Sequence, residues 1–381
     1  MTTCWRPVMS TEVLFLVNGD ERSPMGYRAR AFAERLPDRW RSRIVYRSQG
    51  RFLSIGVFLR AIAASQPSIV YVLDMAVCGV IAGAAARFLR RTVLVIDTGD
   101  AISALAQSIG RGPIGVLLTR VLEAFAFRVA DQIVVRGTFH RQWLADRHID
   151  AEVIPDGVDL QLFRPIEDDS IRALRRELDV EKVLAVGLVG SSVWCEKLQM
   201  AYGWELVEAL ALLKDRPVRG VIIGDGTGIP HLRARCRELD VQDRVTFLGR
   251  IPFEMLPSHL NAFDVCLSTQ SNDLAGQVRT TGKLPLYLAC GRYVLASKVG
   301  EAALVLPPDM LIDYEGTKDG TYPAKLAQRL SDMLTRSEDS PDTVSVARER
   351  FDYEKLTARL TGMFDALVAR SDEAVALSGL E

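Results

Sequence analysis

No stretch of this sequence is apolar for long enough to cross a bilayer as a helix. The longest charge-free runs in its first half, Ala61–Leu73 and Met75–Ala86, are parted by Asp74, and Gln66 and Pro67 interrupt the first. A spanning helix needs about 20 apolar residues. Residues 1–20 carry neither a basic start nor a long apolar run, so no secretory leader is expected. The six cysteines (Cys4, Cys78, Cys195, Cys236, Cys266, Cys290) form no CxxC pair. They read as reduced thiols of a cytoplasmic protein, neither disulfides nor zinc ligands. The four histidines (His140, His148, His231, His259) have no metal-ligand spacing and are expected on exposed helices or their edges. Neither sign of charge dominates: 47 basic against 48 acidic residues leave −1, so nothing global points to nucleic acid. No self-similarity at solenoid spacing is present.

What the sequence does have is alternation. Short β-branched runs at 13–17, 68–73, 92–97, 132–135 and 151–155 alternate with helical patterns. A second such series begins near Val183 and runs through "VRGVIIG", "RVTFLG" and "DVCLST" to "YVLAS". Strands alternating with helices imply parallel sheets of crossover units, an α/β fold. A single sheet would need about ten strands, so two domains are expected. Their expected extents are 1–165 and 166–347, with the Pro- and acid-bearing segment 159–170 as linker. A C-terminal helix over 348–370 buries Leu356, Leu360, Met363, Phe364 and Leu367 on one face, and 371–381 is expected to be a frayed tail.

Ligands of such sheets sit beyond the carboxyl ends of the strands, so the loops there carry the chemistry. "RTTGK" opens a helix: Thr280, Thr281 and Gly282 bring hydroxyls and free amides to its positive end, and Lys283 adds a charge. That combination suits a phosphate; a plain helix cap with a solvated lysine is the other reading. Lys197, in the loop that begins at Gly190, is either a second cation for the same ligand or a surface lysine. "GDGTG" (Gly224, Gly226, Gly228) lacks the GxGxxG spacing of a dinucleotide fingerprint and reads more simply as a tight strand-to-helix turn.

Three stretches then resemble one family. "VIPDGVDLQLFRP" (153–165), the run 220–268 with its GDG turn and V-x-F-x-G, and "KLPLYLACGRYVLAS" (283–297) occur in the order found in retaining GT-B glycosyltransferases of family four. The resemblance covers most of residues 150–300 and implies two Rossmann-like domains facing across a cleft. The C-terminal one would hold a nucleotide-diphosphate sugar and the N-terminal one the acceptor, a glycan or a lipid-linked molecule. It implies transfer with retention and no obligatory metal or other cofactor. Residue by residue, Gly249, Arg250 and Ile251 would border the base, Lys197 and Lys283 the diphosphate, and Thr280–Gly282 the phosphate oxygens. The chain departs from the pattern at two positions, Val278 and Leu286, where the family carries glutamates. Leucine accepts no hydrogen bond, so a ribose contact is lost there; Glu301 or Asp273 is the candidate replacement, and the alternatives are an enzyme that tolerates weaker donor binding or a protein that no longer catalyses. A nucleotide-sugar 2-epimerase shares the two-domain shape, but its acid and histidine pairs are not evident.

In the first half, "SPMGYR" offers Gly26, Tyr27 and Arg28 at a helix start, with Arg28 able to pair with an anionic acceptor. Asp97 and Asp100 follow a strand; Asp100 is the candidate for the acceptor hydroxyl's proton, the alternative being that both acids cap the next helix. From Arg35 to Arg60 there are seven arginines against one acid, Asp38. This segment is either a peripheral membrane contact, at the inner face, or a solvated basic face.

Overall fold

The computed structural model describes residues 11–378 apart from 48–49, 76, 281 and 336–340. The chain divides into two compact units: unit 1 comprises 1–103, 114–157 and 353–381, and unit 2 comprises 104–113 and 158–352.

Unit 1 is built on a six-stranded sheet in the order β2-β1-β3-β4-β5-β6, formed by β1 (Thr11–Val17), β2 (Trp40–Tyr46), β3 (Ile69–Leu73), β4 (Val93–Thr98), β5 (Gln132–Val135) and β6 (Glu152–Val153). Every pairing is parallel. Both faces are covered, which is why β1, β3 and β4 read as unbroken apolar runs rather than alternating ones. One face carries α2 (Arg51–Ser65), α3 (Val77–Arg90) and α5 (Pro113–Val129) over Leu14, Leu16, Val70, Val72, Leu94 and Ile96. The other carries α1 (Pro24–Ala33) and the long C-terminal helix α16 (Tyr353–Ser378), whose Leu356, Leu360, Phe364 and Leu367 pack with Phe15 and Tyr71. Asp365 of α16 accepts from the indole N–H of Trp40 at 2.9 Å and pairs with Arg39 at 2.8 Å. Two short helices, α4 (Ile102–Ser108) and α6 (Thr138–Ala145), complete this half of the chain; α4 runs across the division between units.

Unit 2 repeats the plan. Its sheet, β12-β11-β10-β7-β8-β9, consists of β7 (Leu184–Val189), β8 (Val218–Ile223), β9 (Val245–Gly249), β10 (Val265–Ser268), β11 (Tyr293–Ser297) and β12 (Leu311–Ile312). The pairings are again parallel. Its helices are α7 (Asp169–Glu177), α8 (Trp204–Leu212), α9 (Ile229–Glu238), α10 (Leu256–Asn261), α11 (Leu274–Val278), α12 (Lys283–Ala289), α13 (Ala302–Val305), α14 (Tyr322–Met333) and α15 (Thr343–Arg350).

Several expectations are corrected here. The division falls at Gly157 and not at 165, and residues 104–113 group with unit 2. The expected linker contains the start of α7, whose Asp168 cap accepts from the Ser170 and Ile171 amides. The basic segment after Arg35 contains an edge strand, β2, with Arg41 and Arg43 exposed, a common way to protect an open edge. The C-terminal helix begins five residues later than expected, at Tyr353 instead of 348, and continues to Ser378 through most of the supposed tail. His140 and His259 are buried, not exposed. Cys78, Cys195, Cys236, Cys266 and Cys290 are free thiols, and Cys4 lies outside the described residues.

Candidate functional site

In unit 2 the strand order reverses where β7 lies between β8 and β10, and ligands of such sheets bind among the loops beyond the carboxyl ends of these strands. Lys283, the first residue of α12, projects there. Its Nζ stands 3.5 Å from the centre of the Tyr202 ring. Gly190, at the end of β7, leaves the space: a Cβ there would stand 3.4 Å from the Lys283 ammonium and 3.1 Å from the Tyr202 ring. Tyr202 is held from below, its hydroxyl donating to the Leu267 carbonyl at 3.1 Å and its own carbonyl accepting from Ser192 at 2.8 Å. Tyr287, one turn along α12, accepts from the Val189 amide at 2.9 Å and ties the helix to β7. Burial, and secondly the nearby Arg279 guanidinium, pushes the Lys283 ammonium down to about 7. A cation held with no carboxylate partner among the described residues, over an aromatic face, has the chemistry that suits an anion.

The surroundings agree with that reading. Among the described residues the buried Thr280 hydroxyl has no hydrogen-bond partner, and Gly282 caps α12 with no side-chain hydrogen bond. Thr281 lies outside the described residues. Lys197 is exposed on the turn after β7. Gly249 has a left-handed φ of 70° and open space where a side chain would be. Arg250 is exposed beside it, while Ile251 packs against the core.

The "GDGTG" turn proves to be a clamp on the neighbouring loop. A Cβ on Gly224 would stand 1.9 Å from the Gly190 carbonyl oxygen, and one on Gly226 2.4 Å from that of Ser192. The Ser192 amide donates to the Asp225 carbonyl at 2.9 Å, and the Gly228 amide to the Ser192 carbonyl at 2.7 Å. Only glycine allows two backbones to meet this closely.

The two positions that lack glutamate are packed. Val278 is buried and Leu286 lies against the unit 2 core. Of the two replacements considered, Asp273 is used up as the cap of α11: it accepts from the Gly276 amide, the Ser271 hydroxyl and the Ser108 hydroxyl, each at 2.9 Å. Glu301 is half-buried, and its neighbour Gly300 donates to the Gln277 side chain at 2.8 Å, which brings the Glu301 loop alongside the segment that contains Val278.

Unit 1 places its candidates differently. Arg28 is buried and its guanidinium is spent on the protein: Nε to Asp97 at 2.7 Å, and the two terminal nitrogens to the Pro155 and Ile154 carbonyls, each at 2.7 Å. Asp97, fully buried, also accepts from the Tyr71 hydroxyl at 2.7 Å and from Arg136 at 3.2 Å. Burial alone would raise the Asp97 carboxyl, but the two guanidiniums and the tyrosine hold it below its ordinary range. Neither Arg28 nor Asp97 is therefore free to touch an acceptor, and Asp97 caps no helix; the two are an internal anchor. Gly26 is buried at the start of α1, where a Cβ would collide with the Asp20 and Glu21 carbonyls at 2.5 Å. Tyr27 is half-buried with Arg30 over its ring at 4.6 Å. Asp100 is half-buried on the loop beyond β4. Beneath that loop, His140 is buried with both ring nitrogens unpartnered; burial pushes it down to about 4, against the pull of Asp100.

Sequence reading did not find Tyr202, Arg136, Tyr71 or the buried state of His140. Arg136 meets Asp97 across 39 positions and Arg28 meets it across 69, and no local pattern encodes pairings of that span. Among the described residues no cluster of three or more His, Cys, Asp or Glu is placed to hold a metal ion.

One comparison with known proteins, the family match, falls within unit 2. The description "Glycosyl transferases group 1" matches residues 189–336. The chain is 28% identical to a D-inositol 3-phosphate glycosyltransferase of Corynebacterium glutamicum over 59% of its length and 55% of that protein's. It is 24% identical to a GDP-mannose-dependent monoacylated alpha-(1-6)-phosphatidylinositol monomannoside mannosyltransferase of the same species, over 58% and 57%. The chain thus spans little more than half the length of these relatives. In three dimensions it resembles Anabaena Alr3699/HepE, solved with UDP-glucose, at a TM-score of 0.72 and 18% identity over 93% of this chain and 99% of that one.

Proposed function

We propose that the protein moves a sugar from a nucleotide-diphosphate donor to a hydroxyl of a glycan or lipid-linked acceptor, a reading supported by the match of residues 189–336 to the group 1 glycosyl transferases and by the GT-B architecture. The observation that carries this reading is the unpaired Lys283 ammonium at the switch point of unit 2, with the orphaned Thr280 hydroxyl on the segment just before it. The donor's diphosphate supplies the anion that both groups lack, and the relative solved with UDP-glucose supports that class of donor. Lys283 and Lys197 stabilise the charge that develops on the departing nucleoside diphosphate, electrostatic stabilisation of this kind usually being the largest single contribution to lowering the barrier. The acceptor oxygen bonds to the anomeric carbon as the sugar–phosphate bond breaks. Its proton passes to Asp100 or to a diphosphate oxygen. Retention of configuration follows the family. Glu301 takes the ribose role vacated at Leu286. A lipid-linked acceptor is favoured by the relative named for a phosphatidylinositol mannoside.

A second reading has its own observation. With Val278 and Leu286 both packed as apolar residues, the chain is a partner subunit that binds nucleotide sugar without turning it over. Calorimetry and turnover assays against UDP-, GDP- and ADP-sugars separate the two. Binding with hydrolysis or transfer upholds the transferase, binding alone upholds the partner subunit, and no binding at all removes both.

A further inference from the structure

The outer face of unit 1 formed by α2, α3 and α5 has a surface unlike the rest of the chain. Along α5, Ile114, Leu117, Leu118, Val121, Leu122 and Phe125 follow one another at helical spacing, and all are exposed, Ile114 by 77% and Leu117, Leu118 and Val121 by 58–59%. On α3, Ile81, Phe88 and Leu89 are exposed as well, Leu89 by 82%. A water-facing stripe of this length is not an ordinary feature of a helix whose other side already packs on a sheet. These helices do pack: Phe58, Ala82, Ala86, Ala126 and Val129 lie in one core against the same sheet face. The exposed residues are a second apolar surface, pointing away from the first.

Charge decides what covers it. Arg60, Arg90, Arg120 and Arg128, from the same three helices, are exposed and have no ion pair among the described residues. Arg87 is half-buried and pairs with Asp131 at 2.9 Å. The three helices contain a single acid, Glu123, and it is buried and occupied by Ser103. A face that is apolar along its crest and edged by arginines, with no exposed acid on its three helices and the adjacent Asp131 taken up by Arg87, complements a surface that is apolar beneath and anionic at its rim. We propose that the α2–α3–α5 face docks on an anionic lipid bilayer, with α5 lying in the interface, its leucine and isoleucine side chains among the acyl chains and the arginines at the headgroups. The arginine-rich segment after Arg35 is less suited to this, since Arg35 and Arg39 are engaged with Glu354 and Asp365 of α16. The contact does not rest on the donor reading and is scored without nucleotide.

Flotation of the full chain with vesicles tests it. The wild type is expected to float with phosphatidylcholine vesicles that contain phosphatidylglycerol and to stay behind with phosphatidylcholine alone. Leu118→Glu/Val121→Glu is expected to weaken flotation about tenfold or more, and Arg120→Glu/Arg128→Glu to remove the preference for anionic lipid. Both pairs are exposed, so unchanged thermal midpoints are expected; should the first variant unfold, the arginine pair carries the test. Arg41→Glu/Arg43→Glu on β2 is expected to float like the wild type. The proposal is overturned by a wild type that ignores anionic vesicles or binds neutral ones equally well. It is also overturned if the β2 variant alone loses binding, or if light scattering shows a dimer that Leu118→Glu/Val121→Glu dissolves, which would make a second copy the occupant.

Discussion

At the scale of single residues, two cationic groups, Arg28 buried and Lys283 half-buried, behave oppositely because of what surrounds them. Arg28 is saturated by Asp97 and two carbonyls. Lys283 has an aromatic face and no carboxylate. A diphosphate favours the Lys283 ammonium, so a nucleotide sugar, whose phosphates do not titrate in this range, binds with proton uptake once the pH exceeds the free value of about 7. Affinity is expected to be highest below that value and to fall by up to about tenfold per pH unit above it. Calorimetry in two buffers of different ionisation heat measures both the affinity and the protons taken up. Lys283→Ala should lower affinity more than about tenfold and abolish the pH dependence; a variant with wild-type affinity would remove Lys283 from the site. In unit 1, His140 is held near 4 in the folded chain against an ordinary 6.5. The unfolded chain binds the extra proton first, so this stability is present above about 6.5 and is lost as the pH falls toward 4, by up to about 3 kcal/mol. Urea unfolding of His140→Leu across that window should show a shallower acid limb. Asp97→Ala removes the fully buried carboxylate shared by Arg28 and Arg136 and leaves them only the longer pairs to Asp156 and Asp74, at 3.3–3.7 Å; it is expected to cost about 3 kcal/mol, read in the same unfolding assay.

At the scale of elements, the clamp between the β7 and β8 loops decides whether the proposed donor site exists. Gly224→Ala meets the Gly190 carbonyl and strains a φ of 140°. It is expected to destabilise unit 2 by about 2 kcal/mol or more and to weaken nucleotide binding with it. Gly249→Ala has open space and pays only for its left-handed backbone, about 1 kcal/mol. Denaturant midpoints of the two variants, measured side by side, test that ordering. Most strands and the longer helices could be read from periodicity; β2 and α7 are among the elements that could not. The edge strand β2 carries exposed arginines at Arg41 and Arg43, so its alternation looks like a basic surface. Helix α7 begins inside a segment rich in Pro and Asp, where the capping residue Asp168 resembles linker composition.

At the scale of the whole molecule, each unit has its own sheet and its own core. A nucleotide sugar is expected to protect unit 2 alone. At about 100 times its dissociation constant it adds about 2.7 kcal/mol, visible as slowed hydrogen exchange in the loops beyond β7, β8 and β10 with unit 1 unchanged. Uniform protection of both units would contradict a donor site confined to unit 2.

The sequence alone determined the α/β class, the two series of strands and helices and the position of the candidate anion site at the start of α12, with Lys283 as its first residue. Each of these is written in local spacing: the period of apolar residues, a run of turn formers, a lysine at a helix start. Only the tertiary structure decided which charges are free. Arg28 and Asp97 looked as available as Lys283, yet their partners lie 69 positions apart and join across the sheet. The same holds for the apolar crest of α5, whose residues look like core until the packing of the opposite side shows that the core is already full. Burial and pairing depend on neighbours distant in the chain, and a local pattern cannot state who those neighbours are.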